Sequence, residues 1–170
     1  MKISLFKGAK VASMSLLLFY MGLAAAQQNP TFTSEQLERL RIREVPSKEG
    51  LYIMPGFDGG MSGGNVAILV TDEGVVVVDN KYSYSYENII KQIASVTSLP
   101  IRYVLNTHHH FDHAGSNASF MPSAQVIGHE NVRINMLRNV GPSAPSDGAP
   151  RITFSDKTSI HLGNAEVQAH

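Results

Sequence analysis

The run "VVVVD", Val75 to Asp79, constrains the fold of this chain more than any other stretch. Four β-branched residues in succession crowd the turns of a helix and suit the pleated strand. A strand wetted on one face alternates apolar with polar side chains, and this run does not alternate. It therefore suits a strand covered on both faces, within a sheet flanked by helices. The apolar stretch Asn65 to Val70 precedes it, joined by "TDEG" with Asp72 and Gly74 as turn formers, which predicts a hairpin.

The flanking segments extend this reading. "TSEQLERLRIREV" offers a cap at Thr33 with Gln36 three residues on, so a short helix is expected there. Leu51 to Met54 is a short apolar run, and Gly56, Gly59, Gly60, Gly63 and Gly64 make a glycine-rich loop. In "YENIIKQIASV", Tyr86, Ile89, Ile90 and Ile93 fall at helical spacing, and Pro100 closes the segment. "IRYVLN" reads as a strand, "NASFM" as helical, "AQVIG" as a strand and "HENVRINMLR" as a helix opened by His129. "GPSAPSDGAP" is a loop, and "ITFSD", "TSIHLG" and "AEVQAH" read as the strands of a meander. A hairpin followed by β-α-β-α-β places the chain in the α/β or α+β class, with a mixed sheet flanked by helices.

The N-terminus has a different character. Lys2, Lys7 and Lys10 precede an apolar run from Val11 to Leu23, and Ala24, Ala25 and Ala26 precede Gln27. This is the pattern of a cleavable signal peptide, cut after Ala26, and predicts a periplasmic or secreted protein. The run falls short of the roughly 20 residues that span a bilayer, so no stable membrane anchor is expected. Residues 27–49 then form a lead-in with a short helix, and 50–170 form the main domain. Three of the 14 basic residues and none of the 14 acidic ones lie in the leader, so the remainder carries −3 with neutral histidines. No basic face for nucleic acid and no Lys/Arg cluster for an anionic membrane is present. The chain has no cysteine. Thiolate catalysis, disulfides and cysteine-ligated zinc are therefore excluded within it.

The chemistry is concentrated in "NTHHHFDHAGSN", which holds four of the seven histidines within six positions, directly after a strand. In an extended stretch alternate side chains point the same way, so His108 and His110 can share one metal while His109 points elsewhere. Asp112 and His113 follow as the chain turns and can face a second ion, with Phe111 as pocket wall. Two imidazoles suit zinc, iron or manganese, and a mixed histidine and carboxylate set suits a catalytic site.

"THHHFDHAGSN" resembles the T-H-x-H-x-D-H-x-G signature of the metallo-β-lactamase fold hydrolases. The likeness extends to "GNVAILVTDEGVVVVDNKYS", "VIGHENVR" and "ITFSDKTSIHLGNAEVQAH", covering nearly all of residues 50–170. The resemblance implies that His108 and His110 bind a first metal and that Asp112 and His113 bind a second. It implies two zinc ions per complete protein, with iron as the other metal. Asp112 would also orient a metal-bound hydroxide. Asp79, otherwise a strand-end turn residue, would hydrogen-bond behind the ligands. The glycines, among them Gly59, Gly60, Gly63 and Gly64, match the place of a substrate-bordering flap, and equally a flexible turn. His129 reads as structural or capping and His161 as surface or packing; His170 is not taken as a ligand.

The family fold is an αββα sandwich, and the resemblance implies that this chain is its N-terminal half. Further ligands are expected beyond His170, so the chain is expected to be a fragment or a truncated product. The function implied is an exported zinc hydrolase acting on a small carbonyl substrate such as a β-lactam, lactone or ester. Export disfavours a cytosolic thioester such as the glyoxalase substrate. A mononuclear iron sulfur dioxygenase of the same fold, and an inactive truncated metal-binding fragment, are the other readings.

Overall fold

The computed structural model describes residues 29–57, 60–138 and 146–170. The expected leader, 1–26, and Gly59 lie outside the described residues. Helix α1 (Ser34–Arg39) starts at the expected cap. The Gln36 N–H donates to Thr33 Oγ1 at 3.2 Å, and the Thr33 N–H donates to the Gln36 side chain at 2.9 Å. Two of the donors that a helix start leaves unpaired are thereby met.

Seven strands form the main sheet, side by side in chain order: β1 (Arg43–Glu44), β2 (Leu51–Met54), β3 (Val66–Val70), β4 (Val75–Val78), β5 (Ile101–Asn106), β6 (Gln125–His129) and β7 (Ile152–Phe154). The first four pair antiparallel, and β3 and β4 are the hairpin expected from the TDEG turn. From β4 onward the pairing is parallel. Parallel neighbours need crossovers. These are α2 (Tyr86–Ala94), then the short helices α3 (Phe111–Ala114) and α4 (Asn117–Phe120), then α5 (Glu130–Arg138).

The unalternating valines behave as their pattern requires. Val75 and Val77 pack on one face with Val66, Ile68, Val104 and Val126, under Ile89 and Ile93 of α2 and Phe120 of α4. Val76 packs on the opposite face with Leu105, Ile127, Ile160 and Leu162. Those last two belong to a separate two-stranded antiparallel sheet, β8 (Thr158–Leu162) and β9 (Ala165–Ala169). The expected three-stranded meander is therefore corrected. Only β8 and β9 form a hairpin, while the "ITF" segment returns through α5 and joins the main sheet parallel to β6. Among the described residues, no helix is long and apolar enough to cross a membrane.

This topology fixes where chemistry can sit. The parallel strands end along one edge of the sheet, and the loops leaving β4 and β5 emerge there together. Crevices at the carboxyl ends of strands are where open α/β sheets bind ligands. Asp79 closes β4, and the histidine cluster follows β5.

Candidate metal centre

His108 and His110 flank the turn into α3, and Asp112 and His113 lie in its single turn. One donor atom from each of His108, His110 and Asp112 falls within 4.8 Å of the others, a spacing that a single cation can bridge. The His108 ring lies 4.9 Å from that of His110 and 4.1 Å from that of His113. His113 Nε2 is 3.3 Å from Asp112 Oδ2. The four side chains singled out in the sequence thus converge on one locus, with His108 between the other two imidazoles.

The protonation of this locus follows from its hydrogen bonds. Asp79 is 4% exposed, and as a carboxylate it can only accept. It takes the Thr107 N–H at 2.8 Å, the Thr107 hydroxyl at 2.7 Å and His113 Nδ1 at 2.7 Å. His113 must therefore carry a proton on Nδ1, so the neutral ring offers Nε2 as its lone pair. The Thr107 hydroxyl has given its one proton to Asp79, so its 3.0 Å contact with His108 requires Nδ1–H of His108 to donate. His108 Nε2 is then also a lone pair. One buried carboxylate and one hydroxyl set the tautomers of two imidazoles, as partners behind metal-binding histidines commonly do. Asp79, His108 and His113 also lie within ligating distance of one another, but three hydrogen bonds already occupy the Asp79 carboxylate.

Burial and the neighbouring His113 hold the His108 imidazole below its ordinary pKa, which keeps it neutral and able to coordinate. Across 3.3 Å, His113 Nε2 and Asp112 Oδ2 face one another closely enough to share a cation once Nε2 carries no proton. Three imidazoles and a carboxylate, with donor atoms of His108, His110 and Asp112 within 4.8 Å of one another, fit a divalent cation of the zinc type.

The backbone around the cluster is unusual. Asp79 and Lys81 both adopt left-handed conformations, φ +61° and +57°, uncommon outside glycine. The glycine-rich loop packs against the back of the cluster. The Gly64 N–H donates to the Asp112 carbonyl at 2.8 Å. A Cβ at Gly64 would lie 2.3 Å from the His113 ring, so only glycine allows this approach. Gly63 has φ +68° and comes close to Lys81 and to the Asp112 carbonyl. Gly60 accepts from the Gly63 N–H in a turn.

The remaining histidines are not part of the four-residue donor set. The His109 ring is tilted against that of His110, centroids 4.6 Å apart, and with His108, His129 and His170 lines a cleft of about 490 Å³ beside the sheet edge. Burial and His110 lower the His109 pKa. His129 ends β6 instead of opening the following helix, and its ring accepts the Asn131 N–H at 3.1 Å, a capping contact. His161 is exposed, 3.9 Å from Glu166. The sequence reading assigned no task to Thr107, Lys81 or Asn117. Asn117 is buried and joins Asn80, Asn106 and the Gly148 carbonyl in one hydrogen-bond chain under the cluster. The only sequence signal for Thr107 was its place at the head of the motif.

Comparison with known proteins agrees with this architecture. A probable hydroxyacylglutathione hydrolase of Schizosaccharomyces pombe is 36% identical over 116 residues, covering 64% of this chain and 39% of that protein. The chain thus spans well under half of that relative's length. A metallo-beta-lactamase from Pontibacter korlensis superposes with a TM-score of 0.64 at 19% identity, over 76% of this chain and 60% of the other. A subclass B3 metallo-beta-lactamase of Bradyrhizobium japonicum gives 0.55 at 23% identity, over 71% and 48%. At such identities these structures establish the fold. Residues 59–151, more than half of the chain, match the sequence model of the Metallo-beta-lactamase superfamily. On the strength of that match, the chain is a member of the metallo-beta-lactamase superfamily.

Proposed function

We propose that this chain supplies the first metal-binding segment of an exported, zinc-dependent hydrolase acting on a small acyl substrate. The observation that carries the proposal is the convergence of donor atoms from His108, His110 and Asp112 within 4.8 Å of one another, with His113 alongside and its Nδ1 bonded to Asp79. His108, His110 and His113 are the imidazole donors, and Asp112 is the carboxylate donor. Bound there, zinc supplies an activated water and an electrophile for the carbonyl oxygen. Asp112 orients the attacking water and accepts its proton, and Asp79 keeps His113 in the donor tautomer throughout.

The substrate class comprises β-lactams, lactones, esters and hydroxyacyl thioesters. The leader disfavours the thioester, but a relative 36% identical over 116 residues is named a probable hydroxyacylglutathione hydrolase. That name returns the class to the proposal. Export rests on the basic, apolar and small-residue order of residues 1–26. Mass measurement of the protein recovered from the producing cell should show loss of those residues, and an intact Met1 would exclude it.

The direct test is a substrate panel run on zinc-loaded protein beside Asp112→Asn. The substitution should lower kcat at least about 100-fold on every substrate turned over, the usual weight of a positioned proton acceptor. Turnover equal to the unsubstituted protein would remove Asp112 from the chemistry.

A further inference from the structure

Lys81 is 1% exposed, among the most deeply buried of the large side chains. An ammonium group has three N–H donors, and burial is tolerable only when they are met. Here Nζ donates to the Pro55 carbonyl at 3.1 Å, the Ser62 carbonyl at 2.8 Å and the Gly64 carbonyl at 2.5 Å. Pro55 directly precedes the glycine-rich loop, and Ser62 and Gly64 lie at its end. The Lys81 carbonyl accepts the Gly115 N–H at 2.8 Å, just past α3, and the Asn80 N–H donates to the His113 carbonyl at 2.6 Å. The left-handed backbone at Lys81 turns its side chain under the loop while its main chain stays tied to α3.

We propose that Lys81 is a positioning residue that acts through Gly64 on the Asp112 and His113 end of the metal centre. The ammonium gathers both ends of the loop and presses Gly64 against the His113 ring. The Gly64 N–H then fixes the Asp112 carbonyl at 2.8 Å, so the turn carrying both ligands is held from behind. Asp79 sets the protonation of His113, whereas Lys81 sets where its ring and the Asp112 main chain lie. The role is therefore to raise metal affinity by preorganisation, since side chains held in place before binding lose less freedom when they coordinate. This inference rests on the metal-centre reading.

The test compares zinc affinity, by competition with a chromophoric chelator, in the unsubstituted chain, Lys81→Met and Tyr84→Phe. Tyr84 OH donates to the Met61 carbonyl at 2.6 Å, a second tie on the same loop that does not reach His113. Lys81→Met should weaken zinc at least about 10-fold and shift the visible bands of the cobalt(II)-loaded chain, while Tyr84→Phe leaves both unchanged. Equal affinity and equal spectra in Lys81→Met would overturn the inference. So would equal losses in both variants, which would show general loosening of the loop. If Lys81→Met does not fold, hydrogen exchange on the metal-free, unsubstituted chain decides. A Gly64 amide protected before zinc is added supports the clamp; one protected only after zinc shows that the metal, not Lys81, places the loop. No zinc binding by the unsubstituted chain would instead defeat the metal-centre reading, leaving the amide measurement to judge the clamp separately.

Discussion

At the scale of single residues, the ligand-type side chains were legible and their control was not. The H-x-H-x-D-H spacing names His108, His110, Asp112 and His113 because local backbone geometry alone brings them near one another. The role of Thr107 depends on which way one hydroxyl proton points, and that is settled only by Asp79, 28 residues earlier. Nothing in "DNKYS" singles out Lys81. Its burial appears only when Pro55, Ser62 and Gly64 close over it. Asp79 carries the clearest prediction. Asp79→Ala removes the acceptor that commits the His113 proton to Nδ1, and with it the Thr107 link to His108. Zinc affinity should fall about 10- to 100-fold in a competition titration. An unchanged affinity would mean that the tautomers are set elsewhere.

At the scale of elements, periodicity foretold existence and type better than partnership. The TDEG turn makes β3 and β4 an antiparallel hairpin because a four-residue link leaves no other geometry. The "ITF" segment had no such constraint. As a strand it could pair with β8 or with β6, and the crossover through α5 delivers it beside β6. A similar limit applies to "NASF", whose four residues form helix α4 chiefly because Phe120 is anchored. Phe120 is fully buried in the core and meets the Tyr86 ring edge-on at 4.9 Å. Its truncation leaves a cavity between α2, α4 and the sheet. Phe120→Ala should cost about 3–5 kcal/mol in chemical denaturation, a large share of the roughly 5–15 kcal/mol that holds a domain together. A loss under about 1 kcal/mol would mean that the neighbours collapse into the space.

At the scale of the whole molecule, one sheet organises everything else. β4 and β5 lie parallel, so the loops that follow them leave the same edge, and Asp79 reaches a motif far from it in sequence. Apolar clusters pack on both faces of the sheet below that edge, where the four polar side chains converge. The chain covers 39% of the Schizosaccharomyces pombe relative, so the activity of a complete protein is a proposal built on this segment. The claim beneath that proposal concerns the segment itself: its histidines and Asp112 hold a divalent metal. The most direct measurement is zinc content by elemental analysis after equilibrium dialysis, for the unsubstituted chain and for His110→Ala. The account predicts stoichiometric zinc in the first and its loss in the second, with the fold retained by circular dichroism. Equal zinc in both, or none in either, would contradict it.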